Sequence, residues 1–224
     1  MNHLAIIMDG NRRWAQQKGI SPLSAHEFGY KTFKKIVEYA FEKQIAIVTV
    51  YAFSTENWNR SSTEIQVLLT LFQNSLLKDV SSLCNNNIQV RFIGNIEKFG
   101  GHLVKGMREC MELTKNNTGG ILQIAVNYGG REELIHAVRG IIQDKVSEQD
   151  VTEDLISKYL YTNGIPDPDM IIRTSGEQRL SGFLPWQGVY SELYFLEKYW
   201  PDVSEQDIDE ILEEFHKRVR RHGT

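Results

Sequence analysis

The stretch Leu4-Ala5-Ile6-Ile7-Met8-Asp9-Gly10-Asn11-Arg12-Arg13-Trp14 decides the fold, because an apolar run passes directly into a carboxylate, a turn and two arginines. The run Leu4–Met8 is short and uncharged, which predicts a buried strand. The residues after it predict a tight turn and a helix that begins near the arginines. A helix N-terminus presents free backbone N–H groups and the positive end of its dipole. This turn therefore predicts a phosphate-binding site.

Asp9 is an unexpected neighbour for a phosphate, since a carboxylate repels a bare anion. Its position therefore predicts a metal ion between the carboxylate and the phosphate. Arg13 could clamp the same anion with its guanidinium group. Asp-Gly is also common turn chemistry, so the phosphate prediction depends on what the rest of the chain supplies.

The composition is that of one folded domain spanning residues 1–224, with 41% hydrophobic and 24% charged residues. The net charge of −4 argues against a nucleic-acid partner. Cys84 and Cys110 have neither metal-ligand nor disulfide spacing, which indicates a reducing compartment. No apolar run approaches the ~20 residues of a membrane span. We therefore expect a cytoplasmic protein, and a peripheral membrane role stays open.

Strand-like apolar runs alternate with amphipathic helix-like runs along the whole chain. Ser24 with Glu27, and Ser61 with Glu64, form capping-box patterns that predict helix starts. The order predicts the α/β class: a single domain with a mostly parallel sheet of about six strands flanked by helices, Rossmann-like but without a dinucleotide motif. The predicted strands are Leu4–Met8, Ala46–Phe53, Ile88–Ile93, Ile121–Val126, Met170–Arg173 and Leu193–Phe195, and the predicted helices are Ser24–Lys43, Ser61 to about Leu83, Ile96–Lys115, Arg131–Lys145, Thr152–Leu160 and Ser204–Arg221.

The polar, chemically capable residues are concentrated where the predicted strands end. In a parallel sheet the carboxyl ends of the strands meet at one edge, and ligands bind there. We therefore expect four segments to converge, namely Asp9–Asn11, Phe53–Arg60, Asn127–Arg131 and Arg173–Ser181.

Several arginines belong to these segments without an equal number of acids beside them. Arg13, Arg60, Arg173 and Arg179, together with Ser181, predict a ligand with several negative charges, because Arg offers paired donors to phosphate oxygens. Surface salt bridges are the alternative for any single arginine.

Candidate metal and proton-transfer groups are fewer. Asp9 and Glu192 are candidate carboxylate ligands of Mg²⁺, which takes one or two carboxylates and completes its shell with phosphates and water. A solvated strand end is the alternative for Glu192. His26 could transfer a proton or donate to phosphate, and a structural or exposed histidine is the alternative.

Large apolar side chains accompany the polar segments. A cavity with a polyanion-binding mouth and an apolar interior would suit a lipid diphosphate, whereas ordinary core packing is the alternative for each residue taken singly. The residues concerned are Trp14, Phe53, Trp58, Phe72, Phe183 and Trp186.

Five blocks of this chain resemble the cis-prenyltransferases, and most closely the undecaprenyl diphosphate synthase group. They are H-L-A-I-I-M-D-G-N-R-R-W-A, Y-A-F-S-T-E-N-W-N-R, N-Y-G-G-R, I-I-R-T-S-G-E-Q-R-L-S-G-F-L-P-W-Q and S-E-L-Y-F. The resemblance extends from His3 to about Gly223. It implies a Mg²⁺-dependent enzyme that condenses isopentenyl diphosphate onto an allylic diphosphate, with farnesyl diphosphate as the expected primer. The expected product is a Z-polyprenyl diphosphate, undecaprenyl diphosphate, which serves as a precursor of the cell-wall lipid carrier.

The resemblance also implies roles for individual residues. Asp9 would hold Mg²⁺, Asn11 would position the allylic diphosphate and take part in proton loss, and Trp14 would orient the substrates. Catalytic roles fall to Asp9, Asn11, His26 and Asn57, and Mg²⁺ binding to Asp9 and Glu192. The implied substrate-binding residues are Gly10, Asn11, Arg12, Arg13, Trp14, His26, Ser54, Thr55, Glu56, Asn57, Trp58, Arg60, Arg173, Glu177, Arg179 and Ser181.

A homodimer is also implied, because Arg221-His222-Gly223 resembles a C-terminal element that approaches the partner's site in dimeric relatives. The chain departs from the family pattern in front of the second helix, where many members carry R-x-x-G-H. Pro22 replaces the arginine and Ala25 the glycine, while His26 is retained. One contact to the allylic diphosphate is therefore expected to be missing, and Arg12 is a candidate to replace it.

Three other functions remain open on the sequence. A short-chain Z-prenyl diphosphate synthase would share every block above. A non-catalytic subunit of a heteromeric prenyltransferase would be expected to lose the Asp-Gly-Asn block or the arginines, and both are present. A phosphatase with Asp9 as nucleophile would want a second aspartate two residues later, where Asn11 stands.

Overall fold

One six-stranded sheet forms the centre of the molecule. The computed structural model describes residues 1–73 and 86–218. All pairings in the sheet are parallel, and the strand order is β3-β4-β2-β1-β5-β6. The predicted fold class is therefore confirmed. The strands are β1 (His3–Ile7), β2 (Ile47–Ser54), β3 (Ile88–Ile93), β4 (Gly120–Tyr128), β5 (Met170–Arg173) and β6 (Glu192–Phe195).

Helices cover the sheet, and the larger hydrophobic core lies between it and α2, α4 and α7. A smaller core on the other face includes Ala5, Ile171 and Phe183. Among the described residues, no helix is long and apolar enough to cross a membrane. The helices are α1 (Asn11–Lys18), α2 (Pro22–Glu42), α3 (Ser62–Leu71), α4 (Gly101–Thr114), α5 (Gly130–Gln143), α6 (Glu153–Tyr159) and α7 (Glu205–Lys217).

Helix α2 begins earlier than the capping pattern at Ser24 predicts. Ser21 is the N-cap, and its hydroxyl accepts a hydrogen bond from the backbone N–H of Ser24 at 3.1 Å. Pro22 occupies the first helical position, where its fixed φ suits a helix and its missing N–H costs nothing. The proline that breaks the family pattern is therefore also the residue that starts α2.

Two other helices also differ from their predicted bounds. The helix predicted over Ile96–Lys115 is divided into a 3₁₀ turn, Ile96–Lys98, and α4, because Gly100 is extended and serves as the N-cap of α4. Helix α7 ends at Lys217 rather than Arg221. The predicted end of the third helix near Leu83, as well as Cys84 and Arg221–Gly223, lies outside the described residues.

The central strands β2, β1 and β5 are neighbours in the sheet, so their carboxyl ends lie side by side. Ile7 pairs with Arg173 across β1 and β5, and with Tyr51 across β1 and β2. This register brings the segments after Ile7, Ser54 and Arg173 to one edge, as the sequence predicts.

Candidate active site

Asp9 stands just beyond β1, and its backbone is fixed from two sides. Its carbonyl oxygen accepts hydrogen bonds from the Thr174 hydroxyl at 2.6 Å and from the Trp200 N–H at 3.0 Å. Burial alone would raise the pKa of the Asp9 carboxyl, but hydrogen bonds and charge from Arg173, 2.8 Å away, outweigh it. The net pKa lies below the ordinary value, so Asp9 is ionised at neutral pH.

The arginines beside Asp9 are already paired. Arg173 donates to Asp9 and to the Ser181 hydroxyl at 2.9 Å, and its side chain is only 6% exposed. Arg13 lies 3.6 Å from Asp9 and 2.8 Å from Glu177. Ser181 adopts a positive φ of 49° in the loop after β5. Charge pairing thus orients the guanidinium groups before an anion arrives.

Gly10 makes the turn into α1 possible. Its φ is +106°, and a Cβ there would lie 2.7 Å from Cδ1 of Tyr199 and 2.9 Å from Cβ of Ser175. The first turn of α1 contains no acidic residue, and Gly10 supplies no side-chain cap. No side chain at Gly10 caps this end of α1, which is the arrangement that a phosphate-binding turn requires.

A second group of side chains comes from the end of β2 and the start of α2. Ser54 and Asn57 cap each other reciprocally, and the Asn57 Oδ1 accepts from the Ser54 N–H at 3.0 Å. Burial, aided by the positive charge of Arg60, lowers the pKa of His26 to about 4. His26 is therefore neutral at pH 7, and its buried Nε2 has no hydrogen-bond partner among the described residues.

A cavity of about 860 Å³ joins both groups and continues into the core. Its polar end contains Asp9, Arg13, Arg60, Arg173 and Ser181, with Gly10, Asn11, Arg12, His26, Ser54 and Asn57 around them. Its apolar end lies between the sheet and helices α2 and α3. The residues there include Tyr30, Phe33, Val50, Ala52, Phe53, Leu68, Phe72 and Ile124.

Some predicted binding residues support the cavity rather than line it. Trp14 packs in the α1–α2 contact with Ala15 and Ala25. The Trp58 indole donates to Asn127 Oδ1 at 2.7 Å and its ring packs on Phe53. Thr55 and Glu56 belong to the same 3₁₀ turn, Thr55–Asn59, and are not among the described residues of the cavity wall.

Glu177 and Arg179 lie outside the cavity wall but adjoin its polar end through Arg13. The Glu177 carboxylate accepts from both Arg13 and Arg179, which lowers its pKa, with the hydrogen bond from Arg179 as the largest cause. Of the predicted pocket aromatics, Phe183 belongs to the smaller core on the other face of the sheet, where it stacks on Tyr51.

Within this chain, Glu192 does not lie near Asp9. It is the first residue of β6 and pairs with Met170, at the amino end of β5. Asp9 follows the carboxyl ends of the strands, so the two carboxylates lie at opposite edges of the sheet. The Glu192 carboxylate accepts instead from Arg218 at 2.8 Å.

Two residues near the site, Ser175 and Glu64, are not predicted from the sequence as parts of it. Ser175 receives hydrogen bonds from Arg13, and its place in the block I-I-R-T-S-G-E was the available signal. For Glu64, the sequence predicts only a place in a capping box with Ser61. Ser61 does accept from the Glu64 N–H at 3.3 Å, but the Glu64 carboxylate contacts Arg60 and Arg12 instead of returning to the cap.

The side chains at the polar end suit a Mg²⁺ ion that takes most of its coordinating oxygens from a bound diphosphate and water rather than from the protein. Within the described residues, no group of three or more His, Cys, Asp or Glu side chains is placed to hold a metal. Asp9 contributes one ionised carboxylate that is partly exposed at the cavity. Mg²⁺ commonly binds one protein carboxylate and takes its remaining ligands from phosphates and water. The residues present therefore fit Mg²⁺ if a diphosphate completes its shell.

Comparisons with known proteins agree with this geometry. Residues 7–223 match the model of the Prenyltransf family, described as "Putative undecaprenyl diphosphate synthase". An isoprenyl transferase of Clostridium perfringens is 42% identical over 99% of this chain and 89% of its own length. A ditrans,polycis-undecaprenyl-diphosphate synthase of Coxiella burnetii, described as specific for (2E,6E)-farnesyl diphosphate, is 42% identical over 99% of this chain and 95% of its own.

Solved structures share the whole fold. Lavandulyl diphosphate synthase from Lavandula x intermedia, solved in complex with dimethylallyl diphosphate, matches with a TM-score of 0.95 and 34% identity, covering 100% of this chain and 98% of that one. A "probable undecaprenyl diphosphate synthase" from Campylobacter jejuni matches with a TM-score of 0.85 and 30% identity, covering 100% and 99%.

The parallel sheet, the anion-binding strand ends and the apolar cavity behind them define a prenyltransferase, an enzyme that extends isoprenyl diphosphates. Full-length similarity narrows the class further. The chain belongs to the undecaprenyl diphosphate synthase family of cis-prenyltransferases. The family predicted from the five sequence blocks is thereby confirmed.

Proposed function

We propose that this enzyme condenses isopentenyl diphosphate onto farnesyl diphosphate in a Mg²⁺-dependent reaction. The product is a Z-polyprenyl diphosphate, undecaprenyl diphosphate, used to make the cell-wall lipid carrier. The observation that carries the proposal is the continuity of the cavity, from a mouth with four arginines to a wall of apolar side chains. A diphosphate fits the first and an isoprenoid chain the second.

The residues at the mouth have complementary tasks. The N–H groups of α1 and the Arg13 guanidinium bind the allylic diphosphate, while Arg173, Arg179 and Ser181 bind isopentenyl diphosphate. The allylic C–O bond breaks and its diphosphate leaves as negative charge develops on it, so donors fixed beforehand lower the barrier. The new C–C bond forms to the isopentenyl double bond, and one proton is lost. Two anchored diphosphates supply the alignment.

Asp9 is the residue that would hold Mg²⁺, which supplies charge neutralisation for the leaving diphosphate. Asn11, His26 and Asn57 stand at the same end of the cavity. A neutral His26 can accept or relay a proton, and the Asn57 side chain is fixed by its cap. These three residues are the candidates for positioning the diphosphate and guiding proton loss.

A short-chain Z-prenyl diphosphate synthase is the second candidate. The observation in its favour is the TM-score of 0.95 with lavandulyl diphosphate synthase, above the 0.85 of the Campylobacter jejuni protein. Both candidates use the same mouth and differ in how far the chain grows into the apolar end. The mass of the product separates them.

We also propose a homodimer. Helix α5 presents an apolar stripe to solvent, with Ile135, Val138 and Ile142 each at least 52% exposed. These residues follow an i, i+3, i+7 spacing and share one helix face, which is typical of a surface that packs on a second copy. Sedimentation of a single species with the mass of one chain would contradict this proposal.

The enzyme is further proposed to work in the cytoplasm, in peripheral contact with the membrane that receives its lipid product. Leu23 and Phe28 on α2 are 42% and 47% exposed. Nζ of Lys31 lies 5.3 Å from the Phe28 ring. Pro22, next to Leu23, lines the cavity, so this face adjoins the mouth. Equal flotation with and without anionic vesicles would argue against this contact.

The central experiment incubates the protein with labelled isopentenyl diphosphate, farnesyl diphosphate and Mg²⁺, followed by mass spectrometry of the products. We expect a series of polyprenyl diphosphates of increasing length that ends at undecaprenyl diphosphate. Products of one or two added units would support the short-chain candidate. No extension of farnesyl diphosphate under any Mg²⁺ concentration would overturn the proposed reaction.

Asp9→Ala tests the metal role in the same assay. We expect turnover to fall by about a thousandfold or more, because a charged group facing the leaving diphosphate is lost. The unfolding free energy should fall by only about 1 to 2 kcal/mol, since Arg173 keeps its bonds to Ser181 and the Arg179 carbonyl. Retention of most activity would show that Asp9 does not hold the metal.

A further inference from the structure

The carboxylate of Glu64 joins two arginines that belong to different parts of the fold. Its Oε1 lies 3.1 Å from Nη1 of Arg60, which follows the 3₁₀ turn after β2, and 3.6 Å from Nε of Arg12 in α1. Glu64 itself is in the first turn of α3. One carboxylate therefore ties together α1, the segment after β2 and α3.

The carboxylate of Glu64 is more buried than either of the two guanidinium groups that it contacts. The Glu64 side chain is 14% exposed, against 30% for Arg60 and 64% for Arg12. Both arginines line the cavity, whereas Glu64 is not among the described residues of its wall. The carboxylate thus stands behind the guanidinium groups and can hold them towards the cavity. Ordering long side chains in advance lowers the entropy lost when a ligand binds.

The cluster formed by Glu64, Arg12 and Arg60 carries a net positive charge, which favours binding of an anion. Two guanidinium groups and one carboxylate leave a local charge of +1, and neighbouring His26 is neutral at pH 7. An arginine that already shares a carboxylate keeps further N–H donors, because the guanidinium group has five. A diphosphate with several negative charges can therefore bind these arginines while Glu64 still contacts them.

Pro22 explains why such an arrangement is useful in this chain. The resemblance implies an arginine at this position that contacts the allylic diphosphate, whereas this chain has Pro22, which has no side-chain donor. Pro22, His26, Arg12 and Arg60 nevertheless line the same cavity. A guanidinium group from α1 is thus available at the same cavity.

We propose that Glu64 is a positioning residue that holds Arg12 and Arg60 towards the diphosphate of the allylic substrate, so that Arg12 supplies the guanidinium group missing at Pro22. The inference rests on the proposed function and adds to it a specific recognition of the primer. It concerns the allylic diphosphate alone, because Arg173, Arg179 and Ser181 are the residues proposed to bind isopentenyl diphosphate.

The test compares Glu64→Gln, Arg12→Ala and Pro22→Arg, alone and combined, with the KM of each substrate measured separately. Glu64→Gln and Arg12→Ala should each raise the KM for farnesyl diphosphate about tenfold, which corresponds to about 1.4 kcal/mol, and leave the KM for isopentenyl diphosphate within about twofold. Binding of an unreactive thio analogue of farnesyl diphosphate should weaken by the same factor. Adding Pro22→Arg to either variant should restore most of the primer affinity.

Glu97→Gln is the matched control, because Glu97 pairs with Arg108 at 2.6 Å but both side chains are more than 60% exposed. A merely structural role for Glu64 would lower the melting temperature and change both KM values alike, and would not be rescued at position 22. That pattern, or an unchanged or lower primer KM, would overturn the inference while the wild-type reaction stands. Failure of the wild-type protein to extend farnesyl diphosphate would instead remove the proposed function, and the inference with it.

Discussion

At the scale of single residues, the site is organised by ionised pairs that form before any substrate binds. Asp9 pairs with Arg173 and Arg13, and Glu177 pairs with Arg13 and Arg179. Each carboxylate holds a guanidinium group in a fixed direction at the cavity mouth. In the proposed reaction a diphosphate would meet donors that are already oriented, and such preorganisation lowers a barrier dominated by developing negative charge.

The buried His26 predicts a specific loss of stability in mild acid. Its pKa is about 4 in the folded protein and about 6.5 in the unfolded chain, so between these values the unfolded chain binds more protons. Stability therefore falls as the pH drops through this window, by about 2 kcal/mol between pH 7 and pH 5 from this residue alone. Chemical unfolding at both pH values measures it.

His26→Gln is the comparison for that measurement, because it removes the titrating ring and keeps a polar side chain. The variant should lose about 2 kcal/mol less than the wild-type protein over the same pH interval. The other buried histidine with a lowered pKa, His3, is common to both proteins and cancels. Identical pH dependences would mean that His26 is not held neutral by burial.

At the scale of elements, the turn from β1 into α1 depends on Gly10. Gly10→Ala places a Cβ within 3 Å of Tyr199 and Ser175 at a φ of +106°. We expect the unfolding free energy to fall by about 3 kcal/mol and activity to be largely lost, because the N–H groups of α1 move. Gly19→Ala, at a φ of +65° with nothing within 4 Å, should cost only about 1 kcal/mol. Equal losses would contradict a packing role for Gly10.

A substitution at the start of helix α2 should strengthen binding of the primer rather than weaken it. Pro22→Arg returns a guanidinium group to the first position of α2, beside the cavity. The KM for farnesyl diphosphate should fall about threefold to tenfold, because an added charged donor reaches the diphosphate. Steady-state kinetics at saturating isopentenyl diphosphate measure this change. An unchanged KM would mean that the mouth has no room for a further contact.

The sequence predicts most of the elements because their patterns are local. The strands Ile88–Ile93 and Met170–Arg173 are predicted with their observed bounds, since apolar runs between polar segments define them. The convergence of Asp9, Asn57 and Arg173 follows from parallel strand ends. The placement of Glu192 could not be predicted, because it depends on how β6 pairs with β5, which local patterns do not specify.

The sequence also does not predict which side chains of different elements contact each other. Glu64 matches a capping box at N3, and only the approach of α1 to α3 shows that its carboxylate contacts Arg12. Trp14 and Trp58 were expected at the substrates, but they pack into helix and loop contacts that tertiary structure creates. Patterns along a chain show which residues are chemically capable, whereas the fold decides which of them face the cavity.

At the scale of the whole molecule, the proposed function places the reaction and the growing product in the same cavity. If the diphosphates bind at the polar end as proposed, that end stays fixed on β1, β2 and β5, and each added isoprene unit extends towards the apolar end. Side chains midway along the wall should therefore control product length. Ala52 is a candidate, because its small side chain lines the cavity from β2, two residues before Ser54.

The most direct test of this account is the mass of the products made by wild-type and Ala52→Phe enzymes from labelled isopentenyl diphosphate, farnesyl diphosphate and Mg²⁺. Leu113→Phe, on the exposed face of α4, is the control for an added aromatic ring. We predict that Ala52→Phe shortens the product by several isoprene units and keeps the first condensation, while the control matches the wild type. Full-length products from Ala52→Phe would contradict the claim that the chain grows through this cavity.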